Sequence, residues 1–261
     1  MSGGGNLELI SQGIRKLFKN FVSGQAARLG FTLAEVLITL GIIGVVAALT
    51  LPSLINKYRE KQLRTAFMRS SSIIQNALNQ TAIEFGYNNI KELNNICGSL
   101  PESETGNCRT TNQETFNEIN KQFISNFISI KLASNMDFYA RQKKAYNYSG
   151  KTNIWYVNIY GSSGGPYNKF YYLPDGSVLT GMLFFQHGKY DGITFSFDTN
   201  GPERGPNRYG YDIFIYNTGT WYKLCTKKQD GSTYNGRGCY DYALKDVNPD
   251  DSTKGYWDSL Y

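Results

Sequence analysis

Histidine is almost absent from this chain of 261 residues, in which His187 is the only one. The four cysteines lack the C-x-x-C spacing of zinc knuckles and thioredoxin-type sites, and His187 lies far from all of them in the sequence. No Ser/His/Asp, Cys/His, phosphate-loop or paired-carboxylate pattern stands out. The sequence therefore predicts a protein that is not an enzyme and that has no resident cofactor.

An excess of positive charge is largely confined to the N-terminus. Lys and Arg number 27 against 21 Asp and Glu, a formal net charge of +6. The first thirty residues hold four of these cations and a single acid, Glu8, so the remaining 231 residues carry only +3. So small a charge on so large a surface gives little general attraction for nucleic acid. The composition, 41% hydrophobic and 18% charged, is typical of a globular protein.

Charged side chains are missing altogether from Val36 to Asn56, a run of 21 residues. At about 1.5 Å per residue, a helix of this length spans roughly the 30 Å hydrocarbon core of a bilayer. The segment is therefore predicted to cross a membrane. Charge does not fix its orientation, since four Lys/Arg precede the run and five follow it within twenty residues.

The cysteines occur as two local pairs, Cys97 with Cys108 and Cys225 with Cys239. Each pair encloses a polar, glycine-containing stretch that could not hold its shape by burial, so we expect disulfides. Four cysteines allow three connectivities, and the local one is favoured because it needs no long-range assumption. Disulfides imply an oxidising compartment, which places the part of the chain after the apolar run outside the cytoplasm.

Glu35 stands at the edge of the apolar run, where an unpartnered carboxylate costs on the order of 2 kcal/mol. It closes the motif Gly30-Phe-Thr-Leu-Ala-Glu35. This motif and the apolar run after it resemble the signal of type IV prepilins, which type IV pilins share with type II secretion pseudopilins. The resemblance implies that a membrane peptidase cuts after Gly30 and methylates the amine of Phe31. It also implies that Glu35 neutralises the amine of a neighbouring subunit during filament assembly.

The resemblance further implies a location and a set of partners. We expect a single-pass inner-membrane protein with its head outside the cytoplasm, later part of an extracellular or periplasmic filament. Its partners would be homologous subunits, the prepilin peptidase, the inner-membrane assembly machinery and, before assembly, membrane lipid. The sequence does not separate a type IV pilus, a secretion pseudopilus and a DNA-uptake pilus, or a major from a minor subunit.

Two other interpretations of the N-terminal region remain open. An ordinary secretory signal would be cleaved near Ala47 and Ala48, but the apolar run exceeds the roughly 7 to 15 residues that such signals need, and Glu35 stays unexplained. A membrane-anchored binding protein that never polymerises would use its basic C-terminal loop on DNA or a surface ligand.

The predicted fold class is α+β, with a long N-terminal helix packed against a C-terminal antiparallel sheet. The helix should run from Thr32 to about Phe85, apolar all round in its first half and amphipathic in its second. A second helix is expected from Thr111 to Leu132, and strands dominate from residue 153. The predicted divisions are a leader at 1–30, a transmembrane segment at 31–56, an amphipathic stalk at 57–86 and a head at 87–261. The predicted strands are NIWYVNIY, KFYYL, SVLTGMLFF, GITFSFD, YDIFIY and TWYKLC.

Two features of the head are candidate binding sites. Asp198, Asn200 and Asp212 lie in a D-x-N-G…G-P-N…G-x-D-x-F pattern that resembles a signature of pilin-like proteins of the type II secretion class. Their oxygens could hold Ca²⁺, although such residues more often satisfy local backbone groups. A second set of cations in or beside the Cys225–Cys239 loop could contact DNA or another anion, or could simply be solvated. This set consists of Lys223, Lys227, Lys228 and Arg237.

Overall fold

The computed structural model describes residues 32–92, 105–106, 113–133, 144–155, 169–180, 183–187, 192–218, 223–228 and 231–261. The chain divides into two compact units, Met1–Leu54 and Ile55–Tyr261. The class is α+β, as predicted: one long N-terminal helix and a C-terminal antiparallel sheet.

Helix α1 runs from Leu33 to Glu84 and continues through Pro52. Its end is set by Gly86, whose φ of 79° few other residues tolerate. The Gly86 N–H bonds the Ile83 carbonyl and the Tyr87 N–H bonds the Ala82 carbonyl, which is the Schellman arrangement of a helix C-terminus. The helix predicted from Thr32 to about Phe85 is confirmed.

The remaining elements are short. Helix α2 spans Gln113–Ser125, helix α3 spans Tyr240–Lys245, and a 3₁₀ turn covers Trp257–Ser259. The described strands are β1 (Thr105–Gly106), β2 (Lys131–Ala133), β3 (Lys144–Tyr146), β4 (Asn153–Trp155), β5 (Phe170–Tyr172), β6 (Val178–Thr180), β7 (Leu183–His187), β8 (Gly192–Asp198) and β9 (Ile213–Asn217).

Strand β8 is the centre of the sheet. Strand β9 pairs along one of its edges, with Phe197 opposite Phe214. Strands β6 and β7 both pair with the other edge of β8, one after the other. The register of this pairing shifts by one residue between Leu179↔Phe197 and Leu183↔Thr194, as it does across a β-bulge. Strand β5 joins β6, so β5 to β9 form an antiparallel meander, which is the main part of the predicted sheet. Strands β2 and β1 pair with β5 and β7, and β3 and β4 form a separate pair.

The turn between β5 and β6 is the one that Leu-Pro-Asp-Gly-Ser predicts. Asp175 Oδ1 accepts the Ser177 N–H at 2.9 Å, and the Leu173 N–H donates to the Ser177 carbonyl at 3.0 Å. Proline and an Asx side chain favour this geometry. The turn thereby fixes the register of β5 and β6, with Tyr171 opposite Leu179.

Phe67 of α1 lies at the centre of the main core. Its ring has four aromatic neighbours at centroid distances from 4.5 to 6.2 Å, and it is fully buried. These neighbours come from β8, β9, α3 and the 3₁₀ turn, namely Phe197, Phe214, Tyr240 and Trp257. A smaller cluster containing Val178, Ile213 and Ile215 forms a second core, and every residue of β8 is buried. The amphipathic part of α1 thus packs on the sheet as predicted.

The second helix ends earlier than predicted. Helix α2 stops at Ser125, and Leu132 belongs to strand β2, so the predicted extent of Thr111 to Leu132 was wrong at its C-terminal end. Ser129, four residues after the helix end, adopts a φ of 56° that a helix continuing to Leu132 would not allow, while the turn before it buries Phe127. Phe127 follows Phe123 at a helical spacing in the sequence, but it is buried because the turn packs it on the core.

The segment TWYKLC was also predicted as a strand, but its described part, Lys223–Cys225, has no strand pairing. The Leu224 carbonyl instead accepts the N–H groups of Gly236 and Gly238. Residues beside the second cysteine therefore satisfy this backbone group. The described parts of the other predicted strands contain strand residues, and YDIFIY begins its strand at Ile213.

Candidate functional site

The first candidate site is the apolar N-terminal part of α1. By length and composition it could cross a membrane. Two of its hydroxyls are satisfied within the helix, since Thr39 donates to the Val36 carbonyl at 3.0 Å and Thr50 to the Val46 carbonyl at 2.9 Å. Helices with all polar groups satisfied internally suit hydrocarbon surroundings. The exposed large apolar residues of this part are Leu33, Val36, Leu37, Ile38, Leu40, Ile42, Ile43, Val45, Val46, Leu49, Leu51 and Leu54.

Glu35 closes the N-terminus of this helix in a capping box. Its Oε2 accepts the Thr32 N–H at 2.9 Å and the Thr32 hydroxyl at 2.8 Å. The Thr32 hydroxyl oxygen in turn accepts the Glu35 N–H at 3.2 Å. Reciprocal capping of this kind satisfies two helix N–H groups that would otherwise lack partners. Glu35 therefore has a local structural role that the sequence interpretation did not include, whereas Gly30 and Phe31 lie outside the described residues.

The structure brings the predicted calcium residues together in one buried loop region. Asp198 Oδ1 accepts the N–H groups of Asn200 and Gly201 at 3.1 and 2.8 Å. Asp212 accepts the N–H groups of Asn207 and Arg208 at 2.8 and 2.7 Å. The carboxylates of the D-x-N-G and G-x-D parts of the motif thus accept hydrogen bonds from backbone N–H groups of the loop. This local role is the alternative to calcium binding that the sequence left open.

Electrostatics at this loop centre on Asp212, which is fully buried. Burial and the nearby Asp198 carboxylate raise the pKa of Asp212 well above its ordinary value, while the two N–H donors oppose the shift. Within the described ranges, no group of three or more His, Cys, Asp and Glu side chains could hold a metal ion. Calcium binding at Asp198, Asn200 and Asp212 stays a prediction.

Two glycines of the same motif are required by close packing. A Cβ on Gly201 would lie 2.2 Å from the Gly176 carbonyl oxygen, and one on Gly210 would lie 2.6 Å from the Tyr148 ring. Both glycines also have positive φ, at 79° and 74°. The motif therefore joins the loop after β8 to the β5–β6 turn and to the C-terminal core.

The second candidate site surrounds the C-terminal disulfide. Cys225 and Cys239 are bonded, as predicted, with their Cα atoms 5.0 Å apart. Both cysteines are buried, and a Cβ on Gly238 would lie 2.3 Å from the Lys223 carbonyl carbon, so the two segments are in direct contact. The other predicted pair, Cys97 and Cys108, lies outside the described residues.

The four cations predicted for this region lie in two different places. Lys227 Nζ donates to the Leu260 carbonyl at 2.8 Å, and its backbone N–H donates to Asp250 Oδ2 at 2.6 Å. Burial lowers the pKa of Lys227. Lys228 donates to the Asp250 carbonyl at 3.5 Å. These two lysines hold the C-terminal segment, and any anion contact by them remains a prediction.

Lys223 and Arg237 instead line a surface pocket of about 360 Å³. Lys245 of α3 lines the same pocket and was missed, because it lies outside the disulfide loop in the sequence. Of the described residues that line it, Asp241 is the only acidic one. The Arg237 guanidinium lies 4.8 Å from the Tyr234 ring centroid, which favours a fixed orientation. The pocket has the charge to hold a small anion.

Removing the disulfide should destabilise the head. The bond joins residues 14 positions apart, and a loop of this length contributes about 3 kcal/mol through the unfolded chain. We expect Cys225→Ala/Cys239→Ala to lower the free energy of unfolding by about 3 kcal/mol in urea titrations of the full chain in detergent. Alanine avoids burying new hydroxyl groups.

The matched control uses the other cysteine pair. A reductant added to the Cys97→Ala/Cys108→Ala variant can break only the Cys225–Cys239 bond, so it should reproduce the same loss. An unchanged urea midpoint in both experiments would show that the disulfide does not stabilise the head.

Comparison with protein-family models, with curated proteins and with solved structures finds no match for this chain.

Proposed function

We propose that this chain is the precursor of a filament subunit of the type IV pilin or type II secretion pseudopilin kind. One observation carries the proposal. The motif Gly30-Phe-Thr-Leu-Ala-Glu35 leads directly into α1, whose first part is apolar and exposed and whose second part packs on an antiparallel sheet. Exposed apolar surface around a whole helix is unfavourable in water, so lipid or other helices must cover it.

The proposed mechanism begins in the inner membrane. The prepilin peptidase cuts after Gly30 and methylates the amine of Phe31, with the head outside the cytoplasm. The assembly machinery then transfers the apolar part of α1 from lipid into a bundle of like helices. Both surroundings are apolar, so this transfer exposes little hydrophobic surface to water.

Glu35 sets the register between subunits in this proposal. The new amine of Phe31 is a cation, and a buried cation without a partner is costly. The capping box with Thr32 keeps the Glu35 carboxylate at the helix N-terminus, where the helix dipole favours negative charge. A neighbouring amine can then pair with a carboxylate that is already oriented.

Processing can be tested at the cleavage position itself. Gly30→Leu places a large side chain where the proposed peptidase requires a small one, so the variant should keep residues 1–30 and should form no filaments. Gly24→Leu makes the same change within the leader and should be processed normally. Gel mobility of the chain coexpressed with a prepilin peptidase distinguishes the two. Equal processing of both variants would contradict cleavage after Gly30.

The pocket lined by Lys223, Arg237 and Lys245 favours a second candidate, a membrane-anchored protein that binds an anionic ligand such as DNA. Salt-dependent retention of the full chain on DNA, lost in Lys223→Gln/Lys245→Gln, would support this function. Such a receptor would be indifferent to changes at Glu35, whereas a filament subunit would not.

A further inference from the structure

A cationic groove of about 750 Å³ lies on the head between α1 and the loop Asn200–Pro206. Four cations line it: Arg59, Lys61, Arg69 and Arg204. Among the residues that the structure describes, its lining contains no Asp or Glu side chain. Tyr58 and Tyr261 also line the groove, and they are 63% and 47% exposed. The groove therefore combines positive charge with exposed aromatic rings.

Most of these cations do not hold the fold together. Arg69 pairs with Asp175 at 3.3 Å, and Arg64, outside the groove, pairs with Asp246 at 3.0 Å. The other three groove cations are exposed and have no ion pair among the residues that the structure describes. They are Arg59, Lys61 and Arg204. Like charges on one concave surface repel one another, so a bound anion would stabilise the arrangement.

The first groove residue, Tyr58, follows the apolar part of α1 closely in the sequence. Tyr58 is four positions after Leu54, and four residues reach roughly 14 Å at most. If the apolar part crosses a bilayer, the first groove residues lie within reach of its headgroup layer. Tyrosine is enriched at that layer, and lysine and arginine next to a membrane-spanning segment bind anionic lipids.

We propose that the groove binds the phosphate of anionic phospholipid headgroups at the surface of the membrane that α1 crosses. Guanidinium groups suit this ligand because they present paired N–H donors to phosphate oxygens. Arg59 and Arg204 approach the groove from different elements, one from α1 and one from the loop after β8. A headgroup held between them would orient the head on the membrane. The inference requires only the membrane anchor and is independent of filament assembly.

The test uses the full chain in nanodiscs of mixed phosphatidylcholine and phosphatidylglycerol. Native mass spectrometry measures which lipid stays bound when the chain is released. The wild type should retain phosphatidylglycerol preferentially. Each cation near the membrane surface contributes about fivefold to such binding, so Arg59→Gln/Arg204→Gln should lower the preference roughly twenty-five-fold. A second variant, Arg59→Gln/Lys61→Gln, should lower it to a similar degree.

Lys131→Gln/Lys144→Gln is the matched control, because it removes the same charge from exposed positions on β2 and β3 and should leave the preference unchanged. Inorganic phosphate should compete no better than chloride of equal ionic strength. A wild type without preference, equal losses in groove and control variants, or complete displacement by inorganic phosphate would each overturn the lipid assignment. The measurement does not involve filament assembly. A failure of the lipid proposal can therefore be distinguished from a failure of the filament proposal.

Discussion

Phe67→Ala should lower the free energy of unfolding of the head by about 3–5 kcal/mol, the range for a large aromatic side chain removed from a packed core. The ring of Phe67 is fully buried, and Phe214 is its nearest aromatic neighbour, at 4.5 Å between centroids. Its removal leaves a cavity where α1, the sheet and the C-terminal segment meet. The loss is large because these three parts share one core.

Urea unfolding of the full chain in detergent measures this effect by tryptophan fluorescence, to which Trp257 contributes with its ring 5.3 Å from that of Phe67. Ile83→Ala is the control on the same helix, because Ile83 is 67% exposed and its truncation should change stability by less than about 0.5 kcal/mol. Similar losses in both variants would show that the core is not centred on Phe67.

Glu35→Gln should reduce filament assembly about a hundredfold or more, because the amine of the incoming Phe31 would lose its partner and an unpaired buried charge costs about 3–5 kcal/mol. Membrane insertion should survive, since the apolar run is unchanged. Glutamine can replace glutamate in a capping box, so this variant removes the charge and keeps the helix cap. Electron microscopy of sheared filaments and immunoblotting of membranes measure the two outcomes.

Two further variants separate charge from capping. Glu35→Ala removes both and should also cost about 1 kcal/mol of helix stability at the N-terminus. Glu84→Gln removes an exposed carboxylate at the other end of α1 and should assemble normally. If Glu35→Gln assembles like the wild type while Glu35→Ala fails, Glu35 acts only as a helix cap and the proposed pairing with Phe31 is wrong.

Much of the fold was predictable because long periodic patterns determine it. The uncharged run and the apolar stripe after it gave the limits of α1, and alternating strands with a Pro-Asp-Gly turn gave the meander from β5 to β9. Predictions from the local spacing of apolar residues were wrong where tertiary contacts determine the structure. Phe127 continues a helical pattern in the sequence, yet it lies buried in the turn after α2. The Leu224 carbonyl accepts hydrogen bonds from glycines near Cys239 instead of pairing with a strand.

The candidate sites were less predictable than the fold. Cysteine spacing identified the Cys225–Cys239 bond, and the motif around Asp198 and Asp212 correctly marked one loop region. Charge clustering in the sequence did not show that Lys227 holds the C-terminal backbone or that Lys245 joins Lys223 at a pocket. The groove between α1 and Arg204 was invisible too, because Arg204 is far in the chain from the α1 cations Arg59, Lys61 and Arg69.

The N-terminus of the mature chain tests the central claim most directly. Intact-mass and fragment-ion spectra of the natural protein should show a chain that begins at Phe31 and carries one methyl group on its amine. A mature chain that retains residues 1–30, or one cleaved near Ala47 and Ala48, would contradict the proposal that this protein is a prepilin-like filament subunit.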